Sequence, residues 1–186
     1  MKTPFHLVLG FVAASLCFAQ TGAEKKPAPA KAAPAKAHVV VSPEAVKWGP
    51  PSEGMVEGTL PAEFANEPPA QFAVVAGDPL KPGAPYILRI KTAPGSRIAP
   101  HWHPGDEHIT VLKGTIGLGL GKRFDKAVLH ELSAGSYSLM PARTAHFGWS
   151  KHEAIVQVHG TGPFKVVWVS AAAAAPAKGK PNKPGN

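Results

Sequence analysis

The sequence predicts an all-β domain, built as a sandwich or a barrel. Three observations point there. Between residues 39 and 170, short runs rich in Val, Ile, Leu and aromatics recur at roughly 8–12-residue spacing. Gly, Pro and Asp bound these runs, as turns require. No segment of this region carries a long, capped apolar repeat of period 3.6.

The elements follow in order. The proline-rich stretch 42–70 is expected to wrap the sheet, with Trp48 or Met55 as its anchor. Strands are expected at 72–76, 86–92, 109–112, 116–120, 127–132, 137–140, 154–159 and 164–169. Some 130 residues are enough to close one hydrophobic core. In 116–121 the glycines 117, 119 and 121 share one strand face, and they are expected to relieve crowding inside a barrel. This run is not a phosphate loop, because it fits neither glycine-rich nucleotide motif and does not precede a helix.

The ends differ in character from this centre. Residues 1–19 have the layout of a secretory signal peptide: Lys2 supplies a positive start, and residues 7–19 form a 13-residue apolar stretch. Cys17-Phe18-Ala19 places small residues at the −3 and −1 positions, so cleavage before Gln20 is expected, with export to the periplasm or medium. Residues 20–38, rich in Ala, Pro and Lys, and residues 171–186 read as an extended linker and a disordered tail, because neither can build a core. The domain proper is thus 39–170. Stable membrane insertion is not expected, since no later apolar run approaches the ~20 residues of a bilayer span.

Composition excludes further classes. The chain of 186 residues has one cysteine, so a disulfide framework and thiolate zinc ribbons are ruled out. Any metal site must use histidine, carboxylate or other oxygen donors. The net charge of +8 invites a nucleic-acid reading, but its location argues against one. Five lysines (2, 25, 26, 31 and 36) oppose only Glu24 in residues 1–38, and three more lie in 171–186. The centre carries 12 Lys and Arg against 11 Asp and Glu. A nucleic-acid-binding domain carries its charge as a patch on the fold itself.

The chemistry concentrates in two segments. In the first, Gly95 to His108, His101 and His103 are two apart, so on a strand both imidazoles project from one face. Pro104-Gly105-Asp106 then turns the chain, and a returning strand would bring Glu107 beside the histidines. Two imidazoles and a carboxylate suit a divalent first-row metal and leave positions open. By the same alternation Trp102 and His108 point away. The second segment, Gly135 to His146, is another strand and turn that ends in a histidine.

Together these segments resemble the cupin superfamily. Gly95, His101, His103, Glu107 and Gly114 satisfy the first cupin motif, G-x5-H-x-H-x3-E-x6-G, at every spacing. Gly135, Pro141 and His146 meet the second, G-x5-P-x-G-x2-H-x3-N, which departs at Arg143 (usually glycine) and Ser150 (usually asparagine). The resemblance implies a single-domain cupin jelly-roll β-barrel, or double-stranded β-helix, with one motif pair. His101, His103, Glu107 and His146 would then converge on one divalent ion: iron, manganese, nickel, copper or zinc. Gln157 and His159 share a strand face that could also line the pocket. No acid or base outside the metal shell stands out, and no nucleophile elbow is present. The implied function is an exported metal-binding cupin acting on a small organic molecule, a dioxygenase-type oxidoreductase first. A metal-dependent isomerase or decarboxylase and a non-catalytic metal- or ligand-binding or sensing cupin are the alternatives. A homodimer is allowed.

Overall fold

The computed structural model describes residues 38–170; the expected signal segment, the linker up to residue 37 and the tail 171–186 lie outside the described residues. The strands run β1 (Val56–Glu57), β2 (Gln71–Gly77), β3 (Pro85–Thr92), β4 (Arg97–Trp102), β5 (Glu107–Lys113) and β6 (Thr115–Leu120). They continue with β7 (His130–Ser133), β8 (Tyr137–Met140), β9 (His146–Trp149), β10 (Ala154–Thr161) and β11 (Val166–Trp168). Two sheets result, ordered β1-β11-β4-β9-β6-β7 and β2-β3-β10-β5-β8. Their inner faces share one core: Leu88, Ile109, Val111, Val156 and Val158 of the second sheet meet Ile116, Leu118 and Val166 of the first. This is the expected all-β jelly roll.

Alternation explains the faces. Along β10, Ala154, Val156 and Val158 are buried while His159 is exposed. Val158 lies opposite both Leu88 and Ile109, which closes the centre of the second sheet. Removing side chains of this size from water stabilises by about 1.5–3 kcal/mol each.

The stretch 42–70 wraps the barrel edge. Met55 is its buried anchor, at 1% exposure, and its carbonyl accepts from Val166 N–H at 2.7 Å. Trp48 stays half-buried and takes the Lys91 ammonium over its ring instead. The segment 127–132 departs from a single strand. Asp125 Oδ1 accepts from Ala127 N–H at 2.9 Å and caps a short 3-10 turn over Lys126–Val128, so the strand starts only at His130. The glycine expectation is also corrected. Ile116 and Leu118 face the interior, so Gly117 and Gly119 lie on the reverse face, beneath Leu129 and the ring of Phe147.

Candidate metal centre

Strand β4 supplies the first histidine through an irregularity. It pairs with β9 so that Ile98 lies opposite Gly148 and His101 opposite His146, with a register shift between. Ile98 and His101 are three apart, an odd step that would place them on opposite faces of a regular strand. The bulge at Ala99-Pro100 absorbs the extra residue, so both side chains line the same cavity. His103 follows just past the strand end. The turn 104–106 does not form the hairpin that the spacing suggests: β4 and β5 belong to different sheets. It carries the chain across the barrel, so Glu107 approaches from the opposite wall, and Asp106 Oδ1 pins it by accepting from Ala142 N–H at 2.7 Å.

The four side chains meet. All are buried, and the ligand atoms of His101, His103 and His146 lie within 4.8 Å of one another. Glu107 Oε2 stands 3.3 Å from His103 Nε2 and 3.4 Å from His146 Nε2. Each imidazole donates Nδ1–H to a main-chain carbonyl: His101 to Ala99 at 2.8 Å, His103 to Lys165 at 2.6 Å and His146 to Thr144 at 2.9 Å. A carbonyl can only accept, so in the neutral rings the Nε2 lone pairs are directed inward. This outer layer of hydrogen bonds is what a metal-ligating histidine uses to hold its orientation.

Two observations show that the cluster fits a cation. His103 Nε2 and Glu107 Oε2 are buried without a hydrogen bond, a costly state unless an ion satisfies them. The electrostatics agree. Burial, reinforced by His146 and His103, holds His101 well below its usual value, and therefore neutral. Burial opposes charge on His103 and Glu107 too, but each outweighs it for the other: the imidazole is raised and the carboxyl lowered. A divalent ion would supply the positive charge that Glu107 otherwise draws from the imidazoles. The three histidines could thus hold a metal.

Above the cluster opens a cavity of about 420 Å³. Phe164 stacks on His103 with ring centres 4.9 Å apart and planes at 23°, and Trp168 meets His101 edge-on at 5.6 Å. The sequence marked 164–169 as a strand but not as part of the site. The available signal was period two, since Phe164, Val166 and Trp168 all line the cavity. Apart from the cluster, its charged lining residues are Arg97 and Glu67, which pair with each other at 2.6 Å. Gln157 and His159 do not join it. They alternate with Val156 and Val158, which take the cavity face. Gln157 Oε1 accepts from Arg89 Nε at 3.3 Å, and His159 stacks on His108 outside the barrel. Trp102 and His108 turn away, as alternation requires.

Two packed sheets, with three histidines that could hold a metal beside an apolar interior, define a jelly-roll class with a candidate metal centre. The family model for the cupin domain matches residues 88–170, which include all four clustered side chains, so this part of the chain is a cupin domain. Among solved structures it is similar to the polyketide cyclase RemF from Streptomyces resistomycificus, at 19% identity and a TM-score of 0.51 over 74% of this chain and 91% of that one. It is similar also to a double-stranded β-helix protein from Klebsiella pneumoniae, at 19% identity and 0.48 over 73% and 99%. KdgF from Halomonas sp. matches at 16% identity and 0.46 over 68% and 96%. The likeness to RemF is one of fold. No curated protein matches the chain. Among the described residues, no helix is long and apolar enough to cross a membrane.

Proposed function

We propose that the protein is an exported, metal-dependent cupin that works as a dioxygenase-type oxidoreductase on a small, largely apolar organic molecule. The observation that carries this reading is the convergence of three oriented imidazoles at the end of an apolar cavity. In this reading Glu107 would be the fourth ligand beside the three histidines, and the ion they would hold could keep positions open for exogenous groups. When bound, a redox-active divalent ion such as iron(II) or manganese(II) supplies the one-electron chemistry that O2 needs to react with an organic substrate. Both oxygen atoms enter the substrate, so no separate reductant is required.

The chain's own residues do the rest. The carbonyls of Ala99, Thr144 and Lys165 fix the imidazoles, so little reorganisation accompanies binding. Phe164 and Trp168 offer flat walls for a planar substrate and keep water from the cluster. Isomerisation or decarboxylation would call for a separate proton donor or acceptor at the substrate. The charged lining residues beyond the cluster are Arg97 and Glu67, already bound to each other, which favours the oxygenase over those alternatives.

Oxygen uptake by iron- or manganese-loaded protein, across a panel of phenolic, enol and thiol compounds, tests the reading, with His103→Ala as the blank. Uptake above that blank for at least one compound is expected. Native protein that carries only zinc, with no compound raising uptake, would replace the oxygenase by a binding or sensing role. Export is tested separately by intact mass from the native host: a mature chain beginning at Gln20 is expected, and a retained Met1 or a lipid on Cys17 would refute it.

A further inference from the structure

The two histidines excluded from the interior find each other on the outside. His108 of β5 and His159 of β10 are directly opposite in the antiparallel register. Alternation puts both on the face away from Glu107, Ile109 and Val158. Their rings lie 4.8 Å apart with planes at 15°, His159 being exposed and His108 half-buried. Tyr137 Oη sits 2.8 Å from His108 Nδ1. His159 makes no side-chain hydrogen bond among the described residues. The flanking row positions are Leu139 beside His108 and Ile87 beside His159, so uncharged side chains border the pair in its row. Arg89, one row away, is engaged by Gln157.

We propose that His108 and His159 form a second, external metal site, oriented by Tyr137, that takes Cu(II) and, less tightly, Ni(II) or Zn(II). The chemistry follows from the donors. When the phenol oxygen accepts Nδ1–H of His108, the Nε2 lone pair of that ring is left for a ligand, the same arrangement that orients the interior imidazoles. The Cβ–Cγ torsion of histidine is soft, so a modest turn of either ring brings two nitrogens to a common ion. Two imidazoles with water in the remaining positions favour copper over nickel and zinc in the usual affinity order. With fewer protein ligands than the interior cluster, the outer site fills second. It lies on the reverse face of β5 from Glu107, so the two ions are held independently.

Calorimetric titration of the full-length protein with Cu(II), followed by EPR of each equivalent, tests this. Two equivalents are expected for the native protein. His108→Ala and His159→Ala, both on the outer face, should each lose the weaker equivalent and keep the tighter one, while His146→Ala should do the reverse. Tyr137→Phe should keep the second equivalent with affinity about tenfold lower. It should also change that equivalent's copper hyperfine coupling, which a merely structural tyrosine would not do. A native stoichiometry of one, or a weaker equivalent that survives both histidine substitutions, overturns the proposal.

Discussion

Arg97 fastens the wrapping segment to β4, and removing it gives the most quantitative test of how the cavity wall is held. Its Nε donates to Glu67 Oε1 at 2.7 Å, Nη2 lies 2.6 Å from the same oxygen, and Nη2 also donates to the Glu63 carbonyl at 2.9 Å. The guanidinium packs 4.9 Å from the Phe64 ring centre. The Arg97 and Glu67 side chains are 38% and 19% exposed, so solvent screens the pair only in part. Exposed ion pairs are worth about 0.2–1 kcal/mol, and the forked geometry places this one near the top of that range. The Glu63 bond and the ring contact add about 0.5–1 kcal/mol each. Arg97→Ala should therefore destabilise by about 2 kcal/mol, keeping the main-chain bond from residue 97 to Glu67 Oε2. Glu67→Gln should lose about 1 kcal/mol, and urea unfolding of both single variants and the double variant gives the coupling. A coupling near 1 kcal/mol that shrinks with salt is expected. If the single losses sum to the double loss within about 0.5 kcal/mol, the two side chains do not act as a unit and the reasoning fails.

Other outcomes follow from the same structure. His103→Ala or His146→Ala should strip the interior, tighter-bound ion, whereas His108→Ala should leave that tighter equivalent in place; loss of the tighter equivalent from His108→Ala, measured by calorimetric titration, would mean the wrong strand face has been assigned. A metal at 100 times its dissociation constant should stabilise the native protein by about 2.7 kcal/mol, and calorimetry should show no such gain in His103→Ala. Gly119→Ala places a methyl group against the Phe147 ring and should cost about 1–3 kcal/mol in chemical denaturation, while a neutral result would show that the ring can shift. The Glu67 carboxyl is held below its ordinary 4.5, first by the Arg97 N–H. Its stabilising effect should therefore be complete above that value and disappear as pH falls through the lowered one, and a pH series should show this acid-side loss in native protein but not in Glu67→Gln.

Much of this was legible in the chain, and the exceptions have physical causes. The strand at 137–140 is bounded by Gly135 and Pro141 and forms over those residues. The ligand spacing was legible because the motifs record where each turn ends. Strand β9 was not, being a four-residue His-Phe-Gly-Trp segment stabilised by non-local pairing with β4 and β6. Strand β4 hid behind Pro100, which a central strand accepts only at a bulge. Both faces of β10 carry apolar side chains, so sequence alone could not choose between them; packing of Val158 on Leu88 and Ile109 decided it. The two departures from the second motif also resolve. Arg143 adopts a left-handed φ of 61°, where glycine is usual, while its N–H binds the His103 carbonyl at 2.8 Å. Ser150 is fully buried, and its hydroxyl meets that of Thr92 at 2.6 Å.

The strand that carries His101 makes the centre sensitive to counting as well as to chemistry. Between Ile98 and His101 it holds one residue more than its partner, and loss of that surplus would leave the two side chains two apart, still on one face of a regular strand. Loss of Trp102 would instead set His101 and His103 next to each other and turn one imidazole out of the barrel. Every ligand would still be encoded, yet the constellation would be broken. Descendants of this gene should therefore tolerate a change of letter at position 102 more readily than a change of length. The one-residue gap between the two histidines then records a reading frame in three dimensions, set by the parity of a strand.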